Sequence, residues 1–133
     1  MNSYLESGCA LRVLVVEDNG DVRRTLKALL SVLGYDPVFA VNMQSALRLA
    51  EDNSFDVLLS DIGLPDGDGW ELLRRLKISG LCPAWTVAMS CLASPADVAQ
   101  SEAAGYQVHL GKPFTVQELE CALATGVTSQ AGG

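Results

Sequence analysis

Residues 55–70 read Phe-Asp-Val-Leu-Leu-Ser-Asp-Ile-Gly-Leu-Pro-Asp-Gly-Asp-Gly-Trp, an apolar run that ends at Asp61 and continues into a turn-rich loop. A short apolar run bounded by turn residues is typical of a buried parallel strand. Ligands of open α/β sheets bind just beyond the carboxyl ends of such strands. Asp61 is therefore the first candidate functional residue of the chain.

Apolar runs and helical patterns alternate on both sides of this strand. The other strands are predicted at 11–16, 36–41, 85–89 and 106–110. After each strand, apolar residues recur at helical spacing, which predicts five helices. The connections are long enough for right-handed crossovers. The pattern therefore predicts an α/β fold with a doubly wound five-stranded parallel sheet, in the flavodoxin-like strand order 2-1-3-4-5.

Residue types that favour helix ends lie at the predicted boundaries. Asn42, Ser94 and Thr115 are expected to cap helix N-termini, and Gly34 and Gly105 to follow helix C-termini. We predict one domain at 11–126, a flexible leader at 1–10 and a flexible polar tail at 127–133, because 133 residues suit a single domain of ordinary size.

Composition limits the classes of partner. The formal net charge of −7 disfavours direct binding to nucleic acid or to anionic membranes. The chain shows no secretory signal and no apolar run of membrane-spanning length, so a cytoplasmic location is expected. Its four cysteines have no metal-binding spacing and are expected to be reduced, with Cys91 a small buried filler.

The carboxyl ends of parallel strands meet at one edge of a sheet, so residues far apart in sequence are expected to gather there. These ends carry five polar side chains: Glu17, Asp18, Asp61, Ser90 and Lys112. Clustered carboxylates repel one another and need a cation, and hard oxygen ligands at an open site favour Mg²⁺ or Mn²⁺. Such a site suits metal-assisted phosphoryl transfer. Asp61 would be the nucleophile that becomes an aspartyl phosphate, with Ser90 and Lys112 contacting the transferred group.

Four motifs in order resemble the receiver domains of two-component response regulators: Val-Val-Glu-Asp-Asn, Ser-Asp-Ile-Gly-Leu-Pro-Asp-Gly-Asp-Gly-Trp-Glu-Leu, Ala-Met-Ser and Gly-Lys-Pro-Phe. The resemblance covers roughly residues 11–125, either as a free-standing receiver or as part of a larger hybrid kinase. It implies that Asp61 accepts a phosphoryl group from a kinase phosphohistidine. It also implies that Glu17, Asp18, Asp61 and the backbone carbonyl of Gly63 hold Mg²⁺.

The same resemblance implies a switch and its partners. Ser90 and His109 would be the switch residues, because the residue three places before Lys112 is usually an aromatic side chain that swings inward. The Lys112-Pro113 bond would be cis. A sensor histidine kinase or a histidine phosphotransfer protein would donate phosphate, and a downstream protein would dock on the face formed by helix 4, strand 5 and helix 5. Gly63 and Leu92 occupy the positions whose side chains, in this family, adjust how fast the phosphoryl group is hydrolysed. Neither can orient a water, which predicts a long-lived phosphoryl group.

Two alternatives remain open. His109 and Cys91 depart from the commonest family pattern and would suit a receiver-like interaction module that does not cycle phosphate. A phosphatase that acts on an external substrate through Asp61 is less favoured. Such enzymes resemble a pattern with the nucleophile after strand one, which 18–21, Asp-Asn-Gly-Asp, does not match. The sequence thus favours a protein that catalyses only its own phosphorylation and dephosphorylation.

Overall fold

The structure, a computed structural model, describes the backbone of residues 11–91 and 94–132 and the side chains of residues 11–91 and 94–124. The five strands of the main sheet alternate with helices along the chain, as predicted. In order, the elements are β1 (Arg12–Val16), α1 (Gly20–Val32), β2 (Asp36–Ala40), α2 (Met43–Asp52), β3 (Val57–Asp61), β4 (Gly63–Leu64), β5 (Gly67–Asp68), α3 (Gly69–Ile78), β6 (Trp85–Ser90), α4 (Pro95–Ala104), β7 (Val108–Gly111) and α5 (Val116–Gly132).

The main sheet has the strand order β2-β1-β3-β6-β7, and all its neighbouring strands are parallel. This confirms the predicted α/β fold and the order 2-1-3-4-5 of its five strands. Successive residues of β1 face opposite sides of the sheet, as the period of a strand requires. Leu14 and Val16 pack with residues of α2 and α3, whereas Val13 and Val15 pack with residues of α1 and α5. Both faces are covered, so the central strands β1 and β3 are apolar over most of their length.

The predicted caps are present. Asn42 and Ser94 accept hydrogen bonds from backbone N–H groups in the first turns of α2 and α4. Thr115 forms a capping box with the side chain and backbone of Glu118. Gly105 ends α4 with a φ of 115°, a left-handed conformation that favours glycine.

The two ends of the chain bear on the predicted domain limits in different ways. The backbone of α5 continues as helix to Gly132, beyond position 126. The leader at 1–10 lies outside the described residues, and the limits 11–126 with a tail at 127–133 stay predictions. Within the described part of the chain, every helix is too short or too polar to cross a membrane.

The loop after β3 contains a short hairpin that the sequence pattern did not predict, because β4 and β5 have only two residues each. Its aspartates cap neighbouring helices. Asp66 accepts hydrogen bonds of 2.7 and 2.9 Å from the first two backbone N–H groups of α2, and Asp68 accepts one of 2.7 Å from the first turn of α3. A Cβ at Gly69 would lie 2.6 Å from the carbonyl oxygen of Asp61, so only glycine lets α3 start against the end of β3.

Candidate functional site

The carboxyl ends of four parallel strands supply the candidate site, as the sequence predicts. Asp61 and Ser90 are the last residues of β3 and β6, Glu17 and Asp18 follow β1, and Lys112 follows β7. Residues separated by up to 95 positions in sequence are brought into contact by this arrangement.

The three acidic side chains form a cluster. Oxygen atoms of Glu17, Asp18 and Asp61 all lie within 4.8 Å of one another. Glu17 is buried, with 1% of its surface exposed, Asp61 is half-buried and Asp18 is exposed. At this separation and an effective dielectric constant near 20, each pair of carboxylates repels by roughly 3.5 kcal/mol. The cluster therefore favours the binding of cations.

Lys112 joins two members of the cluster. Its ammonium group donates hydrogen bonds to Glu17 Oε1 at 2.6 Å and to Asp61 Oδ2 at 2.9 Å. Burial alone would lower the pKa of Lys112, but these hydrogen bonds and the negative charges of the two carboxylates together outweigh burial and raise it. Burial raises the pKa of Glu17, although the hydrogen bond from Lys112 opposes the shift. One ammonium against three carboxylates leaves two negative charges, which is the charge that a divalent cation would balance.

An open cavity of about 340 Å³ adjoins the cluster, and Asp61, Ser90, Gly63, Cys91 and Asp97 are among its lining residues. The backbone N–H of Gly63 donates to Asp61 Oδ1 at 3.3 Å. Cys91 is exposed, which corrects the prediction of a buried filler, because the chain leaves the sheet after Ser90. Leu92 lies outside the described residues. The cavity gives a ligand direct access to the carboxylate of Asp61.

Ser90 and His109, the two predicted switch residues, are in contact. Ser90 Oγ lies 3.1 Å from His109 Nε2, and His109 Nδ1 lies 2.9 Å from the hydroxyl of Ser101 on α4. The indole N–H of Trp70 donates to the same hydroxyl at 2.9 Å. Burial lowers the pKa of His109, while the nearby charge of Asp97 opposes that shift. Sequence reasoning assigned no role to Ser101 or to the indole N–H of Trp70.

The Lys112-Pro113 bond is cis, as the resemblance implies. A parallel α/β sheet with an acidic cluster, a lysine and a hydroxyl at its carboxyl edge is an arrangement that suits the binding of phosphoryl groups. The model of the family described as "Response regulator receiver domain" matches residues 13–124, and the chain belongs to this family.

Curated relatives support the same assignment. KdpE of Escherichia coli, the KDP operon transcriptional regulatory protein, is 34% identical over 111 residues, which are 84% of this chain and 48% of the relative. KdpE of Mycobacterium tuberculosis is 33% identical over 115 residues, or 86% of this chain and 50% of the relative. The chain thus spans about half the length of these relatives.

Solved structures share the fold over nearly the whole chain. The chemotaxis response regulator CheY4 of Vibrio cholerae has 25% identity and a TM-score of 0.83, covering 89% of this chain and 99% of CheY4. The receiver domain of the Francisella response regulator 1452 has 26% identity and a TM-score of 0.84, covering 90% and 98%.

Membership of this family places the chain in two-component signalling, with a histidine kinase as the implied type of partner. A receiver domain is not a conventional enzyme. The cluster of Glu17, Asp18 and Asp61 is consistent with the phosphorylation site of such a domain.

Proposed function

We propose that this chain is a phospho-accepting receiver domain in a phosphorelay, and that Asp61 takes a phosphoryl group from a kinase phosphohistidine. The observation that carries the proposal is the contact of Lys112 with both Asp61 and Glu17 inside the acidic cluster. A lysine at this place can balance charge on Asp61 before transfer and on the phosphoryl oxygens during transfer. A merely structural acidic edge would not need a half-buried lysine aimed at its central carboxylate.

The proposed step is an in-line displacement. A carboxylate oxygen of Asp61 forms a bond to phosphorus while the bond between phosphorus and the donor imidazole nitrogen breaks, and the electron pair stays on that nitrogen. Lys112 can contact the equatorial oxygens, because its Nζ already lies 2.9 Å from the carboxylate of Asp61. Ser90 lines the same cavity and can donate a hydrogen bond to the transferred group.

Mg²⁺ is the proposed cofactor, and Mn²⁺ is a possible substitute. Glu17, Asp18, Asp61 and the backbone carbonyl of Gly63 would hold it. Support comes from the three carboxylates within 4.8 Å and from their two uncompensated charges beside Lys112. Oxygen donors and an open cavity are what Mg²⁺ prefers. When bound, the cation neutralises negative charge that develops on the phosphoryl oxygens.

A histidine-bearing donor, either a sensor kinase or a phosphotransfer protein, has a suitable groove beside Lys112. Val22 and Leu29 of α1 and Pro113 and Phe114 after β7 are among the residues that line about 530 Å³ of mostly apolar space. A helix carrying the phosphohistidine could bury its apolar side there and present phosphate to Asp61. We place this exchange in the cytoplasm, the location that the sequence favours.

The output follows from a change in charge. Phosphorylation replaces the single negative charge of the Asp61 carboxylate with nearly two on the phosphoryl group, and it draws Ser90 inward, with His109 as its contact on β7. The proposed downstream partner docks on the face formed by α4, β7 and α5, where Ser101 contacts His109.

Labelling with a small-molecule phosphodonor tests the assignment. Wild type should incorporate phosphate in Mg²⁺ and lose the ability in EDTA. Asp61→Asn should not be labelled, whereas Asp52→Asn, at an exposed position of α2, should behave as wild type. Equal labelling of Asp61→Asn would refute the nucleophile. Absence of both labelling and Mg²⁺-dependent stabilisation in wild type would instead favour an interaction module that does not cycle phosphate.

A further inference from the structure

A chain of hydrogen bonds leads from the cavity into the space between α3 and α4. It runs from Ser90 on β6 to His109 on β7, then to Ser101 on α4 and Trp70 on α3. The successive contacts measure 3.1, 2.9 and 2.9 Å. Ser101 is the only residue of α4 that is buried, with no exposed surface. The helix is thus anchored at a polar contact.

Chemistry fixes the direction of these hydrogen bonds. An indole nitrogen can only donate, so Trp70 donates to the hydroxyl oxygen of Ser101. Among the described residues, the other polar contact of that hydroxyl is His109 Nδ1. A buried hydroxyl hydrogen without an acceptor is costly. Ser101 therefore donates its hydrogen to His109 Nδ1.

The direction at Ser101 determines the state of the histidine ring. Because Nδ1 accepts a hydrogen bond, the hydrogen of the neutral ring is on Nε2 and points at Ser90 Oγ. Ser90 then accepts from His109 and directs its own hydroxyl hydrogen elsewhere. The cavity that Ser90 shares with Asp61 is the place where a phosphoryl oxygen would accept it.

We propose that Ser101 and Trp70 are positioning residues that hold His109 as its Nε2–H tautomer, so that Ser90 presents its hydroxyl hydrogen to the phosphoryl group on Asp61. This inference rests on the proposed phosphoacceptor function. All the donors point the same way, and hydrogen bonds in such a series polarise one another. In a doubly protonated ring, the N–H at Nδ1 would face the hydroxyl hydrogen of Ser101, and the hydrogen bond between them would be lost. Burial of the ring, which lowers the pKa of His109, favours the neutral form as well.

The tautomer can be observed directly, because the chain contains a single histidine. Nitrogen chemical shifts and long-range proton–nitrogen couplings of the labelled imidazole distinguish the two neutral tautomers and the charged ring. Wild type at neutral pH should show a protonated Nε2 and an unprotonated Nδ1. Ser101→Ala should yield a mixture of both tautomers. A protonated Nδ1 in wild type would overturn the proposal.

Binding of beryllofluoride with Mg²⁺, a mimic of the phosphoryl group on Asp61, tests the consequence. Ser101→Ala should bind roughly fivefold more weakly than wild type, the value of one ordinary hydrogen bond. His109→Phe, which keeps a ring but removes both contacts, should lose a similar factor. Trp70→Phe should show a smaller loss in the same direction.

Trp85→Phe is the matched control, because Trp85 also donates a 2.9 Å hydrogen bond, to the carbonyl of Ala122 on the opposite face of the sheet. It should bind beryllofluoride as wild type does. Equally tight binding of beryllofluoride by wild type, Ser101→Ala, His109→Phe and Trp70→Phe is one outcome that would overturn the proposal. In that case the positioning role is wrong, while the phosphoacceptor function stands. If wild type does not bind, the proposed function fails, and the tautomer is still measurable.

Discussion

Replacing Lys112 with methionine should destabilise the protein in a manner that depends on pH and on metal. Methionine keeps a long unbranched side chain and removes the ammonium that contacts Glu17 Oε1 and Asp61 Oδ2. The two carboxylates then face each other, and Asp18, without their internal cation. Lys112 has only 13% of its side chain exposed, so water replaces the lost hydrogen bonds poorly.

Without Lys112 the carboxylate repulsion is no longer offset, and proton uptake by Glu17 limits what that costs. Carboxylate oxygens at 4.8 Å repel by roughly 3.5 kcal/mol per pair at an effective dielectric constant near 20. Glu17 can avoid this repulsion by binding a proton, at about 1.4 kcal/mol for each pH unit above its usual pKa of 4.5. At pH 7 that route costs about 3.4 kcal/mol. We therefore expect Lys112→Met to lower the free energy of unfolding by about 3 kcal/mol at pH 7.

At pH 5 the proton costs only about 0.7 kcal/mol, so most of the destabilisation should disappear. The assay is urea unfolding of wild type and variant at pH 5 and pH 7, with EDTA or Mg²⁺, followed by tryptophan fluorescence. Mg²⁺ should stabilise the variant more than wild type, because a bound cation replaces the lost charge. Lys27→Met, at an exposed position of α1, is the control and should change little. Equal destabilisation at both pH values, in both buffers, would refute the counter-ion role of Lys112.

Three further outcomes are expected. Gly69→Ala should lose about 1–3 kcal/mol of stability, because its Cβ would meet the carbonyl of Asp61, whereas Gly63→Ala, which meets open space, should be nearly neutral in urea unfolding. Hydrogen bonds from the first turn of α2 lower the pKa of Asp66, so it stabilises the fold above the unfolded pKa near 3.8. The stability gap between wild type and Asp66→Asn should therefore close as pH falls through the lowered pKa. The phosphoryl group should be long-lived in Mg²⁺, and Gly63→Asn, which adds an amide able to orient water, should shorten its lifetime; rapid loss of label from wild type would contradict this.

The polar residues that gather at the carboxyl edge of the sheet could be predicted from the sequence, because they follow a pattern that recurs from strand to strand. Four of the five strands are largely apolar and end at, or lead directly into, a polar residue, and parallel strands place those residues together. The contact between Glu17 and Lys112, 95 positions apart, is a consequence of that rule. The starts of helices could be predicted equally well, because capping residues such as Asn42 and Ser94 lie next to the helices they cap.

The chain of hydrogen bonds from Ser90 through His109 and Ser101 to Trp70 could not be predicted in this way. A serine on a helix has no periodic signal, and Ser101 matters only because α4 turns it toward His109 and Trp70. The same holds for the hydrogen bond of the Trp70 indole, since its partner comes from another helix. Asp66 indicated a turn in the sequence, but its role as a cap of α2 depends on how the loop after β3 folds back.

The helices differ in how strongly their buried residues hold them to the sheet. This difference determines which helix a movement of Ser90 would affect. Leu26 and Leu30 anchor α1, and each fully buried leucine contributes about 1.5–3 kcal/mol. The corresponding buried residue of α4 is Ser101, which holds the helix through hydrogen bonds to His109 and Trp70. Such bonds contribute about 1 kcal/mol each and depend on geometry. A displacement of Ser90 that moves the ring of His109 therefore acts on the anchor of α4 and leaves that of α1 intact.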